Sequence, residues 1–169
     1  MKPFNRGLGF HEERRAFFPL FVDMTGRRVL VVGGGKIAER RVNALLRFGA
    51  RITALAPKAT EGLERLAVSG AIALIHKEYE ADDAARFSPF LVIAATDRRE
   101  VNRTVGQDAS GQNILASIAD CQEECSCYFP ALIENGHYIA AMTSRDGNHT
   151  GTREMAQKIR RLLDEPQHD

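Results

Sequence analysis

The sequence predicts an α/β fold: a doubly wound parallel sheet, then a small segment with a β-hairpin and a C-terminal helix. Three observations predict it. Short apolar runs of strand length alternate with stretches of helical periodicity between Arg28 and Ile118, the pattern of consecutive βαβ units. A glycine turn, Gly33–Gly35, sits between the first of those runs and the first helix. After Asp120 the alternation stops, and a cysteine-rich loop, two apolar runs and one last helical stretch follow.

Taken in order, Met1 to Ala16 mixes charges with Pro3, Gly7 and Gly9 and reads as a mobile tail. Phe17–Val22 is apolar and contains Pro19, which suits an edge strand. Arg28–Val32 is a Val-rich strand. Ala38–Phe48 is a helix, with Ile37, Val42, Leu45 and Leu46 on one apolar face, and Gly49 ends it. Arg51–Ala56 is the next strand, which completes a βαβ unit. Glu61–Ser69 is a helix and Ala71–Ile75 a short strand. Phe90–Ala95 is apolar at every position, as a strand buried on both faces must be. Glu100–Ala109 is a helix, with Asn102 near its first turn, and Ile114–Ile118 is the last strand of the series.

The second part is built differently. Cys121–Cys127 reads as an irregular loop. Tyr128–Ile133 and Tyr138–Thr143 are strand-like, joined by a turn at Glu134–His137. Thr152–Leu163 reads as a helix, with Thr152 as N-cap. The expected domains are a tail over 1–16, a Rossmann-type domain over 17–120, a dimerisation and substrate-cleft segment over 121–151, and a C-terminal helix over 152–169.

Composition narrows the function classes. The chain has 169 residues, 44% hydrophobic and 27% charged, which is ordinary for a globular protein of one domain and a small appendage. A formal net charge of +1 gives no overall electrostatic case for nucleic acid or an anionic membrane. The N-terminus lacks an apolar signal region, and no apolar run approaches the ~20 residues of a membrane span. A cytoplasmic protein is expected. Three cysteines within seven residues are not a disulfide framework.

Gly33-Gly34-Gly35-Lys36-Ile37-Ala38 contains the pattern G-x-G-x-x-A. It follows a strand and opens a helix, the context in which that pattern binds a dinucleotide. Gly33 makes the turn, Gly35 lets backbone approach a pyrophosphate, and Ala38 permits close helix–strand packing. A glycine turn without a ligand is the alternative. The acidic residue that usually follows the second strand is missing; Pro57 and Lys58 stand there. Ribose is then held by backbone or by Lys58, and a surface lysine is the alternative. Thr96 and Asp97 end the buried strand 90–95 and are placed near the nicotinamide half of the cofactor; Asp97 also suits an N-cap of the next helix.

An ordered set of segments resembles a known family. Phe18-Pro19-Leu20-Phe21, Leu30 to Gly35, Ala38-Glu39-Arg40, Gly49-Ala50, Val92 to Asp97, Val101-Asn102 and Phe129-Pro130-Ala131 together look like the amino-terminal half of siroheme synthase and the separate precorrin-2 dehydrogenases. The resemblance covers about residues 17–143. It implies NAD as cofactor, contacts to it from Lys36, Ile37, Pro57 and Lys58, a tetrapyrrole substrate, and a homodimer whose second segment shapes the substrate cleft. It implies oxidation of precorrin-2 to sirohydrochlorin. Some relatives also insert iron, and a non-catalytic tetrapyrrole or NAD-binding module is a further alternative.

The family's key acid falls on Asp120. Asp120 also follows a strand's carboxyl end, where catalytic groups gather. It can take a proton as base, orient the macrocycle, or simply cap the loop. Two departures stand out: Ser117 replaces a common Asn, and Thr143–Gly151 replaces a Ser/Gly-rich stretch. No metal site is expected at Cys121, Cys125 and Cys127; reduced thiols are favoured over a soft-metal cluster. Arg145, Arg153, Lys158, Arg160 and Arg161 suit either a basic cleft for a polycarboxylate or a solvated helix face. His149 suits a carboxylate contact or a plain loop position.

Overall fold

The structure, a computed structural model, describes residues 17–145 and 147–164. The expected tail over 1–16, Asp146 and the end of the chain from 165 on lie outside them. Five strands form one parallel sheet: β1 (Arg28–Val32), β2 (Arg51–Leu55), β3 (Ala73–Ile75), β4 (Leu91–Ala94) and β5 (Leu115–Ile118), in the order β3-β2-β1-β4-β5. Helices α1 (Lys36–Leu46), α2 (Glu61–Val68), α3 (Asp83–Phe87) and α4 (Arg99–Gly111) connect them.

Alternation along each strand explains the double winding. Val29, Val31, Ile52, Ala54, Leu91 and Ile93 point to the side covered by Ala38, Val42 and Leu45 of α1 and Leu63 of α2. Leu30, Val32, Val92, Ala94, Ala116 and Ile118 point to the side covered by Val105 and Ala109 of α4. A period of two therefore feeds two cores. β1 and β4 lie inside the sheet and are buried at nearly every position. The strand order reverses between β1 and β4, and in such sheets ligands bind outside the carboxyl ends at that point.

After β5 a short 3-10 turn, Gln122–Glu124, folds the chain back along that strand. The Ser126 and Cys127 N–H groups donate to Ala116 O at 2.9 and 3.1 Å, and Ser126 Oγ accepts from Ala116 N at 2.7 Å. Cys125 Sγ accepts from Ile118 N at 3.1 Å and donates to Ile118 O at 3.3 Å. The loop thus satisfies β5's outer edge without being a strand. Burial pushes the Cys127 thiol up to about 11, helped by neighbouring Cys125. Among the described residues no group of three or more His, Cys, Asp or Glu is arranged to hold a metal ion.

The hairpin is β6 (Ala131–Glu134) and β7 (Ile139–Met142), antiparallel, and α5 (His149–Asp164) packs on it through Ala156 and the buried Ile133. Arg47 at the end of α1 bonds Glu134 at 2.6 Å and ties the hairpin to the sheet domain.

Several expectations are corrected. Phe17–Val22 is not a strand: it pairs with nothing among the described residues, and Phe18, Leu20 and Phe21 are mostly exposed. Apolar composition alone cannot supply a ladder partner, and Pro19 removes a donor. Phe17 does stack on Tyr128 with ring centroids 3.8 Å apart. Asp97 is not the N-cap of α4; Arg98 holds that position, and Thr96 Oγ1 accepts from the Arg98 N–H at 3.1 Å instead. Thr152 is not an N-cap either. α5 begins at His149, Asn148 Oδ1 accepts from the Gly151 N–H at 2.8 Å, and Thr152 donates its hydroxyl back to Asn148 O. Helix α3 was not expected, and β3, β6 and β7 are shorter than the apolar runs that announced them.

Candidate functional site

Two cavities open side by side at the carboxyl end of the sheet. The first, about 680 Å³, is lined by Gly33, Gly34, Gly35, Lys36, Ile37, Pro57, Lys58, Thr96 and Asp97, all nine of the expected cofactor residues, together with Tyr79, Arg98 and Val101. The second, about 1060 Å³, is lined by Asp120, the arginines Arg40, Arg41 and Arg47 of α1, Arg153 and Arg160 of α5, His149 and Phe129. Ile37 belongs to both walls.

The three glycines differ in what requires them. Gly33 has φ +125°, and a Cβ there would lie 2.3 Å from Ala95 O. A Cβ on Gly34 would lie 2.0 Å from Lys58 O. Both are needed for the protein's own backbone to close at the ends of β1, β2 and β4. Gly35, by contrast, has φ −85°, and a Cβ on it would meet nothing within 4 Å. Its emptiness faces the start of α1, where unpaired N–H groups and the positive end of the helix dipole suit a pyrophosphate. The site therefore fits a dinucleotide, for which the glycine turn, Lys36 and Ile37, and Pro57 and Lys58 just past β2 line the cavity.

The remaining polar groups of this cavity are largely engaged with one another. Lys77 bonds the buried Asp83 and Glu80, both at 2.9 Å, and Arg98 pairs with Glu78 at 3.1 Å. Burial, together with the hydrogen bond its hydroxyl donates to Asp108 at 2.9 Å, raises the Tyr79 phenol well above its ordinary range. No such partner constrains Lys58 among the described residues.

In the second cavity Asp120 stands just past β5. Its Oδ2 accepts from Asn102 Nδ2 at 2.9 Å, and Arg99 Nη1 lies 3.6 Å from its Oδ1. Arg99 is drawn away by a direct bond to Glu124, which is the main reason its guanidinium is held further into the charged form. Opposite, Arg41 lies over the Phe129 ring at 5.3 Å, and its Nε and Nη1 have no hydrogen-bond partner. Burial weakens its hold on its proton.

Of the basic residues expected from the sequence, Arg153 and Arg160 line this cavity, while Arg145, Lys158 and Arg161 do not. Arg40, Arg41 and Arg47 were missed, because the polar face of α1 reads as a solvated surface. The available signal was their spacing: Arg40 and Arg47 are one heptad apart on the helix that opens with the glycine turn.

A family described as putative NAD(P)-binding matches residues 20–131. The chain is 47% identical over 146 residues to a probable multifunctional siroheme biosynthesis protein HemA of Ruminiclostridium josui, covering 86% of this chain and 28% of that protein. It is 36% identical to siroheme synthase of Actinobacillus pleuropneumoniae serotype 3 (strain JL03), covering 87% and 30%. It spans less than a third of the length of both. Among solved structures it is similar to SirC, precorrin-2 dehydrogenase, with TM-score 0.74 and 25% identity over 88% of this chain and 72% of that one.

Proposed function

We propose, because this chain belongs to the putative NAD(P)-binding family, that it oxidises precorrin-2 to sirohydrochlorin with NAD. NAD, when bound, supplies the hydride acceptor. The observation that carries the reading is the shared wall at Ile37: a glycine-turn cavity suited to a dinucleotide adjoins an arginine-rich cavity suited to a polycarboxylate macrocycle. Five arginines line the second cavity against the two carboxylates Asp120 and Glu134, so the excess charge there is positive although the whole chain carries only +1. Arg40 and Arg41 on one side, with Arg153 and Arg160 on the other, would bind the peripheral carboxylates. Asp120 would take the proton that leaves as the hydride departs, or orient the ring through its pyrrole N–H groups. Thr96 and Asp97 would face the nicotinamide half.

The names of the similar proteins point to the same chemistry: two belong to siroheme biosynthesis and one is a precorrin-2 dehydrogenase. Anaerobic incubation of the purified protein with precorrin-2 and NAD should convert the absorption spectrum to that of sirohydrochlorin as NADH forms. Binding of both compounds without any spectral change would reduce the protein to a tetrapyrrole-linked binding module.

The reading divides the chain into a dinucleotide-binding domain over 17–120, a dimerisation and cleft segment over 121–151 and the final helix. It includes a homodimer. Support comes from the apolar residues left exposed at Phe18, Leu20, Phe21, Tyr138, Ile139 and Leu162. Multi-angle light scattering at micromolar concentration should give twice the chain's 18.7 kDa mass, and a monomer contradicts the dimer. A reducing, cytoplasmic setting agrees with three cysteines that are all free thiols. No helix of the described residues is long and apolar enough to cross a membrane.

A further inference from the structure

Asn102, in the second turn of α4, has no exposed surface, and its side-chain amide is fully engaged. Oδ1 accepts from the Thr96 N–H at 3.1 Å and from the Thr96 hydroxyl at 2.7 Å. Nδ2 donates to Thr96 O at 3.1 Å and to Asp120 Oδ2 at 2.9 Å. The orientation follows from the partners: a backbone N–H only donates and a carboxylate only accepts, so the amide cannot turn over. Thr96 lines the glycine-turn cavity and Asp120 lines the arginine cavity. One buried amide therefore joins the two.

Asp120 has no other hydrogen-bond donor among the described residues. Its side chain is 35% exposed, and Arg99 Nη1, 3.6 Å from Oδ1, makes an ion pair with it but no hydrogen bond. An ion pair at that distance does not by itself fix the plane of the carboxylate.

We infer that Asn102 is the positioning residue for Asp120: its amide holds Oδ2, fixes the plane of the carboxylate whose Oδ1 faces Arg99, and keeps the acid in register with the Thr96 loop. This rests on the reading of Asp120 as the acid of the dehydrogenase. The other charged or titratable groups around Asp120 are Arg99 on α4, Glu124 on the loop after β5, and, lining the same cavity, Arg40, Arg41 and Arg47 at α1, Cys121 and Cys125 on the loop, Tyr128 and Glu134 at the hairpin, and His149, Arg153 and Arg160 on α5. Substitution at position 102 leaves all of them in place.

Asn102→Asp puts a second carboxyl of the same shape against Asp120. Two carboxyls so close share a proton, and the pair gives up its last proton only at higher pH. The acid limb of kcat/KM for precorrin-2, measured anaerobically at saturating NAD, should move up by about one pH unit or more, with activity returning toward the parent's at alkaline pH. Asn102→Ala removes the donor without adding an acid, and kcat should fall about tenfold with a much smaller movement of the limb. A scaffold role would lower activity equally at every pH.

Asp120→Asn is measured beside them. If it turns over like the parent, the acid itself is wrongly assigned. If it is impaired while the Asn102→Asp profile superimposes on the parent's, the acid stands and the positioning role is overturned. Failure of both Asn102 variants to fold, judged by circular dichroism, also overturns it, because the amide would then be holding the sheet rather than the acid.

Discussion

Gly35→Asp is expected to fold like the parent and to lose roughly a hundredfold in NAD affinity. The first half follows from Gly35's place as N-cap of α1 with extended backbone, φ −85° and ψ −177°, which any residue adopts. A Cβ there meets nothing within 4 Å, and Asp is among the favoured N-cap residues. The second half follows from charge. A carboxylate at the mouth of α1 would face the pyrophosphate, and like charges about 5 Å apart at an effective dielectric near 20 repel by about 3 kcal/mol. Titration calorimetry with NAD and a thermal melt read the two halves separately. Gly34→Ala should do the reverse damage. Its Cβ would be driven to 2.0 Å from Lys58 O, and the melt should show about 2–4 kcal/mol of lost stability. Unchanged NAD affinity in a folded Gly35→Asp protein would remove the dinucleotide from this cavity.

Asp120→Asn should cut turnover of precorrin-2 by roughly a hundredfold or more if the carboxylate accepts the proton. Its shape is kept, and the new amide can present its oxygen to Asn102 Nδ2, so the bond at 2.9 Å has a replacement. NAD affinity should stay within about twofold, because Asp120 lines the other cavity. If Asp120 only orients the macrocycle, Asn should retain much of the rate and Asp120→Ala should not. Single-turnover kinetics followed by NADH absorbance separates these outcomes. Parent-like rates in both variants would take Asp120 out of the mechanism.

Much of the sheet could be read from the chain because buried parallel strands leave apolar runs with few alternatives, as at Val29–Val32 and Leu91–Ala94. That Gly33–Gly35 and Thr96–Asp97 would line one cavity could be read because a glycine turn between strand and helix, and the end of a buried parallel strand, both lie at the carboxyl edge of such a sheet. What could not be read depends on residues far apart in sequence. Asn102 meets Asp120 only because β5 runs beside β4 in the register Ile93 to Ser117, which carries the two strand ends to one level. Arg41 turns to a cavity only because Phe129 and the hairpin close over the polar face of α1. Phe17–Val22 departs from its reading for the opposite reason: its composition is that of a strand, but composition does not supply a ladder partner, and among the described residues it pairs with no strand. Helix α3 escaped notice because five residues with adjacent aspartates show no periodicity.

The cysteine loop along β5 has a consequence for how copies of this protein can meet. The Ala116 and Ile118 groups that would template another chain are already occupied by Ser126, Cys127 and the Cys125 sulfur. At the far side, β3 offers only Ala73–Ile75. The parallel sheet is thus closed at one margin and cut short at the other, which leaves little backbone there for a neighbour's strand to join. That protects a crowded cell from ribbon-like aggregates of this domain.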